Sequence, residues 1–227
     1  LMAQAIDHCL AVDDMESAAQ AVEAASEAAL ADGRFMDMYR WLDRLPDAVL
    51  WMRPALQVCA CVLHYQKGAE ASIPEETQRA VLAYADARSG SFWGCMAAMM
   101  GAAHAFETWR LAEAQAQAEA LLERMGPRHP LVRCHTLYLL AATSWARGDA
   151  AGALQRCRDA YDTGPAVTCR DFSIRACTNL AYHLFLVGHL ADARAICSQM
   201  IETGIRYAGV DWSGKGLLAV PLGVGEY

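Results

Sequence analysis

The chain has no run of basic residues. Lysine and arginine total 19 against 26 aspartates and glutamates, a formal net charge of −7. A surface of that sign repels a phosphate backbone, which argues against direct nucleic-acid contact. There is no C-x-x-C pair among the nine cysteines and no signal-peptide pattern. An odd set of this kind points to reduced thiols and a cytoplasmic setting. Most of these cysteines fall in apolar helical stretches, where Cys serves as a small hydrophobe. There is no G-x-x-x-x-G-K-[ST] string, hence no phosphate loop, and Gly214-Lys215-Gly216 is too short to be one. The longest apolar stretch, Phe92 to Ala103, is too short to span a bilayer. No run of alternating β-branched residues suggests a strand.

What the chain does have is a recurring helical turn. The clearest copies are ARGDAAGALQRCRDA around Gly148 and LVGHLADARAICSQM around Gly188. FETWRLAEAQAQAEA is an earlier copy with Trp109 in the glycine's place, and fainter ones sit at Gly33 and Gly68. The turn positions 33, 68, 109, 148 and 188 are spaced by 35, 41, 39 and 40 residues. That period predicts an all-α chain of antiparallel helix pairs, a superhelical α-solenoid. All 227 residues then form one domain: opening helices over 1–52, repeats over 53–210, and a truncated repeat beginning at 211. One more period places the next turn at about residue 228, so the chain is expected to be a piece of a longer protein.

The spacing predicts helices over Ala3–Ala11, Met15–Ala31, Arg34–Leu45, Ala48–Met52, Pro54–Lys67, Pro74–Arg88 and Phe92–Phe106. Further helices are predicted over Arg110–Met125, Pro130–Arg147, Ala150–Asp162, Arg170–Val187 and Leu190–Tyr207, with breakers at Gly126-Pro127 and Gly164-Pro165. In the final stretch, Pro221 and three glycines oppose a regular helix. Seven residues before the last three turns stand Ala102, Ala141 and Ala181, and five after them Ala114, Ala153 and Ala193. Small residues there let two helices approach closely, and the pattern resembles the tetratricopeptide motif.

The first third carries a more specific likeness. Trp41-Leu42-Asp43-Arg44-Leu45-Pro46, followed by Arg53-Pro54-Ala55-Leu56, resembles the helical region of MalT-like regulators, the large ATP-binding regulators of the LuxR type. Recognisable strings cover residues 5–68, and beyond them the resemblance rests on the repeat period. It implies the central sensor array alone, placed between an ATP-dependent switch and a helix-turn-helix that this segment does not contain. Such an array receives a small-molecule inducer or a regulatory protein and acts on the other domains of the same regulator. No cofactor is implied in this segment.

Three residues before the turns, one column holds four aromatics: Tyr65, Phe106, Trp145 and Phe185. Tyr138 and Tyr182 lie nearby on the same helices. The column either lines a groove that grips a small molecule or packs between repeats. Polar partners on these faces are His64, His135, Asn179, His183 and Arg175. Arg175 and Asn179, four apart, could hold a carboxylate or hydroxyls, whereas Asp171 pairing with Arg175 would make a plain solvated face. Cys59 and Cys61 point to different helix faces, and no cluster has zinc-ligand spacing. Cys177 lies six residues before His183, a long reach for a nucleophile and its base, so no catalytic role is expected. Phe92, Trp93, Met96, Met99 and Met100 form either core or an adaptable apolar patch. The competing expectation is a protein-interaction scaffold that holds a peptide or helix, or a homo-oligomer.

Overall fold

The helix ends are set by one repeated piece of backbone chemistry. Gly33, Gly148 and Gly188 adopt left-handed conformations, with φ of 72°, 82° and 86°. Trp109 does the same at φ 58°, so it occupies the glycine's place in conformation as well as in sequence. At Gly148 the N–H donates to the Trp145 carbonyl at 2.9 Å, and the next N–H, of Asp149, reaches the Ser144 carbonyl at 2.9 Å. The same two bonds recur at Gly33, Trp109 and Gly188. These are Schellman caps, which satisfy carbonyls that a helix end leaves open. Asp13, at φ 61°, forms a fifth left-handed turn, with Asp14 N–H bonded to the Cys9 carbonyl at 3.0 Å.

The computed structural model describes residues 2–66, 75–163 and 170–208, and their side chains apart from those of 64–66, 75, 76, 78, 170–176 and 200–208. Among the described residues all regular structure is helical, with twelve helices and no strand. They are α1 (Met2–Ala11), α2 (Met15–Ala31), α3 (Phe35–Asp43), α4 (Asp47–Trp51), α5 (Pro54–Gln66) and α6 (Glu75–Ala87). Then follow α7 (Phe92–Glu107), α8 (Leu111–Met125), α9 (Pro130–Ala146), α10 (Ala150–Thr163), α11 (Arg170–Leu186) and α12 (Leu190–Ala208). Predicted and observed ends differ by one or two residues, the ordinary fraying of helix termini. Among the described residues no helix is long and apolar enough to cross a membrane. The turn at Gly68, the breaker Gly164-Pro165, Cys169 and the final stretch from residue 211 lie outside the described residues.

From α7 onward each helix packs on its successor across a short connection: α7 on α8, α9 on α10, α11 on α12. The first helices also meet one another, α5 with α7, α7 with α9 and α9 with α11. Among the described residues no comparable contact joins α6 to α8, α8 to α10 or α10 to α12. Alanines close the pairs as the register requires. Ala102, Ala141, Ala181, Ala114 and Ala153 have no exposed surface, and Ala193 is nearly as buried. A main core runs from Ile6 to Ala160, and a second cluster joins Ala141, Cys157, Leu180, Leu184 and Ala193.

The W-L-x-x-L-P string has a structural role. Trp41, Leu42 and Leu45 are buried, and the Arg34 guanidinium lies 6.0 Å from the Trp41 ring. Arg53, which opens the R-P-x-L string, reaches back to α2, pairing with Glu23 at 2.9 Å and also with Glu16. The two carboxylates stand seven residues apart, about two helical turns, so one guanidinium fork bridges both. Phe92, Trp93, Met96, Met99 and Met100 are all buried, which makes this group core rather than a free patch.

Candidate functional site

The described members of the aromatic column share a register but not an environment. Phe106 is half-buried against the main core, and Phe185 is half-buried against the second cluster. Trp145 is 37% exposed. Of the two nearby tyrosines, Tyr138 is half-buried and Tyr182 is 43% exposed. The side chains of Tyr65, Arg175, Asp171 and His64 lie outside the described residues.

Two of these rings come together through a residue that the register alone does not single out. His183, only 5% exposed, lies edge-on to Trp145 with ring centroids 5.1 Å apart and an interplanar angle of 89°. Tyr182 meets the same imidazole at 5.9 Å and 90°. An edge-to-face arrangement sets the positive rim of one ring against the negative face of the other. Trp145 closes α9 and His183 closes α11, so the contact ties together the ends of two adjacent first helices.

The tautomer of His183 follows from its backbone partner. Nδ1 lies 2.8 Å from the carbonyl of Asn179, one turn earlier. A carbonyl only accepts, so Nδ1 carries a proton. The Cys157 Sγ lies 3.5 Å from the same Nδ1 and takes the weaker branch of that N–H. Because the nitrogen facing the sulfur is already protonated, it cannot take the thiol's proton. Burial also pushes the Cys157 thiol up to about 12, so it stays protonated at neutral pH. Cys177 does not pair with His183; it is buried, and burial raises its thiol to about 12. The corner therefore offers two exposed aromatic rings around a fixed imidazole, which can hold a ligand by stacking.

Among the described residues no group of three or more His, Cys, Asp or Glu is placed to hold a metal ion. Buried His135 and half-buried Asn179 lie on the same first helices, with the Asn179 carbonyl engaged as above. Sequence reasoning placed His183 among the polar partners but missed its central position. The available signal was its place five residues before Gly188, on the same turn of helix as Phe185. No protein-family model matches the chain, and no curated protein or solved structure matches it significantly.

Proposed function

We propose that this chain is the superhelical sensor array of a MalT-like transcriptional regulator, with a small-molecule inducer seated on the face lined by the first helices. The succession of contacts α5–α7, α7–α9 and α9–α11, without matching contacts between the second helices, supports stacked pairs that curve with the first helices inside. One observation carries the functional part. Trp145 and Tyr182 stand exposed on neighbouring first helices, and both are fixed against buried His183. Such rings present apolar area at low entropic cost. An inducer held there bridges α9 and α11. It shifts the regulator between resting and oligomer-competent states only in so far as it binds one of them better. Calorimetric titration of the chain against a metabolite panel tests this. A saturable ligand that is lost in Trp145→Ala supports the proposal, and a panel without a binder opposes it.

A second reading, a scaffold for a protein partner, is favoured by Tyr182, Leu186 and Leu190. All three are exposed along the end of α11 and the start of α12. An amphipathic helix would cover such a strip. A concentration-dependent size of the isolated chain would favour this reading in its self-association form.

A further inference from the structure

A second concave site lies away from the aromatic corner. Helices α6 and α8 both pack on α7 without closing over it, and a cleft of about 350 Å³ is left between them. Its lining is mostly apolar: Leu82 and Ala85 from α6, Ala98 from α7, and Ala120 and Leu121 from α8. The floor is open because α7 carries small residues there. A Cβ at Gly101 would stand 2.5 Å from Leu82 Cδ2 and 3.8 Å from Gln117 Oε1, so both side chains lean over that glycine. Gln117 spends its amide N–H on Glu113 at 2.9 Å, which leaves Oε1 as an acceptor on the cleft side.

The charged residues of this lining sit on opposite walls. Asp86 follows Leu82 by one turn on α6, and Arg124 follows Leu121 by nearly one turn on α8. Both Asp86 and Arg124 are exposed, and among the described residues no ion pair joins them. One apolar cleft therefore carries an uncompensated carboxylate on one wall and an uncompensated guanidinium on the other.

We infer that this cleft binds a zwitterion with an apolar tail, a free α-amino acid of the branched aliphatic type. Asp86 takes the ammonium, Arg124 takes the carboxylate through its planar fork, and the side chain lies over Ala98 and Leu121 toward Leu82. The volume falls at the small end of ligand clefts, which suits a molecule of this size. The inference does not depend on the aromatic corner, since it uses different helices and different residues.

The test is calorimetric or NMR titration of the whole chain with L-leucine, alongside isocaproate, which lacks the ammonium, and isoamylamine, which lacks the carboxylate. The expected result is saturable binding of leucine, with each analogue weaker by about tenfold or more. Asp86→Asn and Arg124→Gln, both at exposed positions, should each weaken leucine by a similar factor while leaving the helical circular dichroism unchanged. The site assignment is overturned if leucine does not bind saturably, if either analogue binds as tightly as leucine, or if both variants bind like the wild type. The analogue series uses the unaltered protein, so the outcome does not rest on a variant folding.

Discussion

His183 Nδ1–H is committed to the carbonyl of Asn179 at 2.8 Å, while the ring it belongs to stands edge-on to Trp145 at 5.1 Å. The backbone bond fixes the imidazole and the imidazole fixes the indole, so Trp145 is held in place although more than a third of it meets solvent. A pair of this kind contributes about 0.5–1.5 kcal/mol beyond its burial. A double-mutant cycle with Trp145→Ala and His183→Ala, followed by urea denaturation, should return a coupling energy in that range. A coupling indistinguishable from zero would mean that the rings are merely adjacent.

The left-handed turns allow a test of opposite signs. A residue with a Cβ in this conformation costs about 1–2 kcal/mol, and glycine's extra freedom when unfolded offsets part of any relief. Trp109 is 76% exposed, so its side chain contributes little packing. Trp109→Gly should therefore stabilise the chain by about 0.5–1 kcal/mol. Gly148→Ala should destabilise it by a similar amount, although nothing lies within 4 Å of the added Cβ. Thermal denaturation of the two variants should bracket the wild type.

The pairs depend on small residues at fixed distances from the turns. Ala153 is fully buried in the closed pair. Ala153→Trp forces bulk between α10 and its neighbours and should cost about 1–3 kcal/mol. An unchanged denaturation midpoint would undercut the register on which the helix pairs are aligned.

Buried thiols make the fold sensitive to alkali. Burial raises Cys59, Cys157 and Cys177 from an ordinary 9.0 to about 12, and Cys61 to about 11. Below pH 9 both folded and unfolded chains hold these protons, so the stability is fully present. Above pH 9 the unfolded chain releases them and the folded chain does not, until the pH passes 11 to 12. Each such thiol then weakens the fold by up to about 1.4 kcal/mol per pH unit. Denaturation midpoints should fall steeply from pH 9 upward, and Cys157→Ala should flatten the slope. A midpoint constant across that window would contradict the burial of these groups.

Much of the architecture was legible because it is local. Turn residues, breakers and apolar spacing act within a few positions, so helix ends could be placed to within a residue or two. Trp109 could be matched to glycines because the strings around it matched. The acidic turn at Asp13–Asp14 could be placed between the first two helices, but its left-handed backbone could not, since it stands half a period before Gly33 and so falls outside the 40-residue register. The candidate site was harder to read. Phe106, Trp145 and Phe185 share one column, yet Trp145 is exposed while the two phenylalanines are half-buried. What covers each ring depends on residues of the neighbouring helices, and a repeat period does not carry that information. For the same reason His183 could be named as a partner but not placed beneath Trp145. Asp86 and Arg124 line one cleft only because α6 and α8 both rest on α7.

The central claim is that the corner formed by Trp145, Tyr182 and His183 receives the inducer. The most direct test follows the indole N–H resonance of Trp145, assigned by its loss in Trp145→Phe, while a metabolite panel is added to the whole chain. The account predicts that at least one compound shifts this resonance and the His183 ring signals saturably, and that the same compound no longer binds Tyr182→Ala or His183→Ala. If no compound moves the Trp145 signal, or if every compound that binds leaves it in place, the sensor assignment is contradicted.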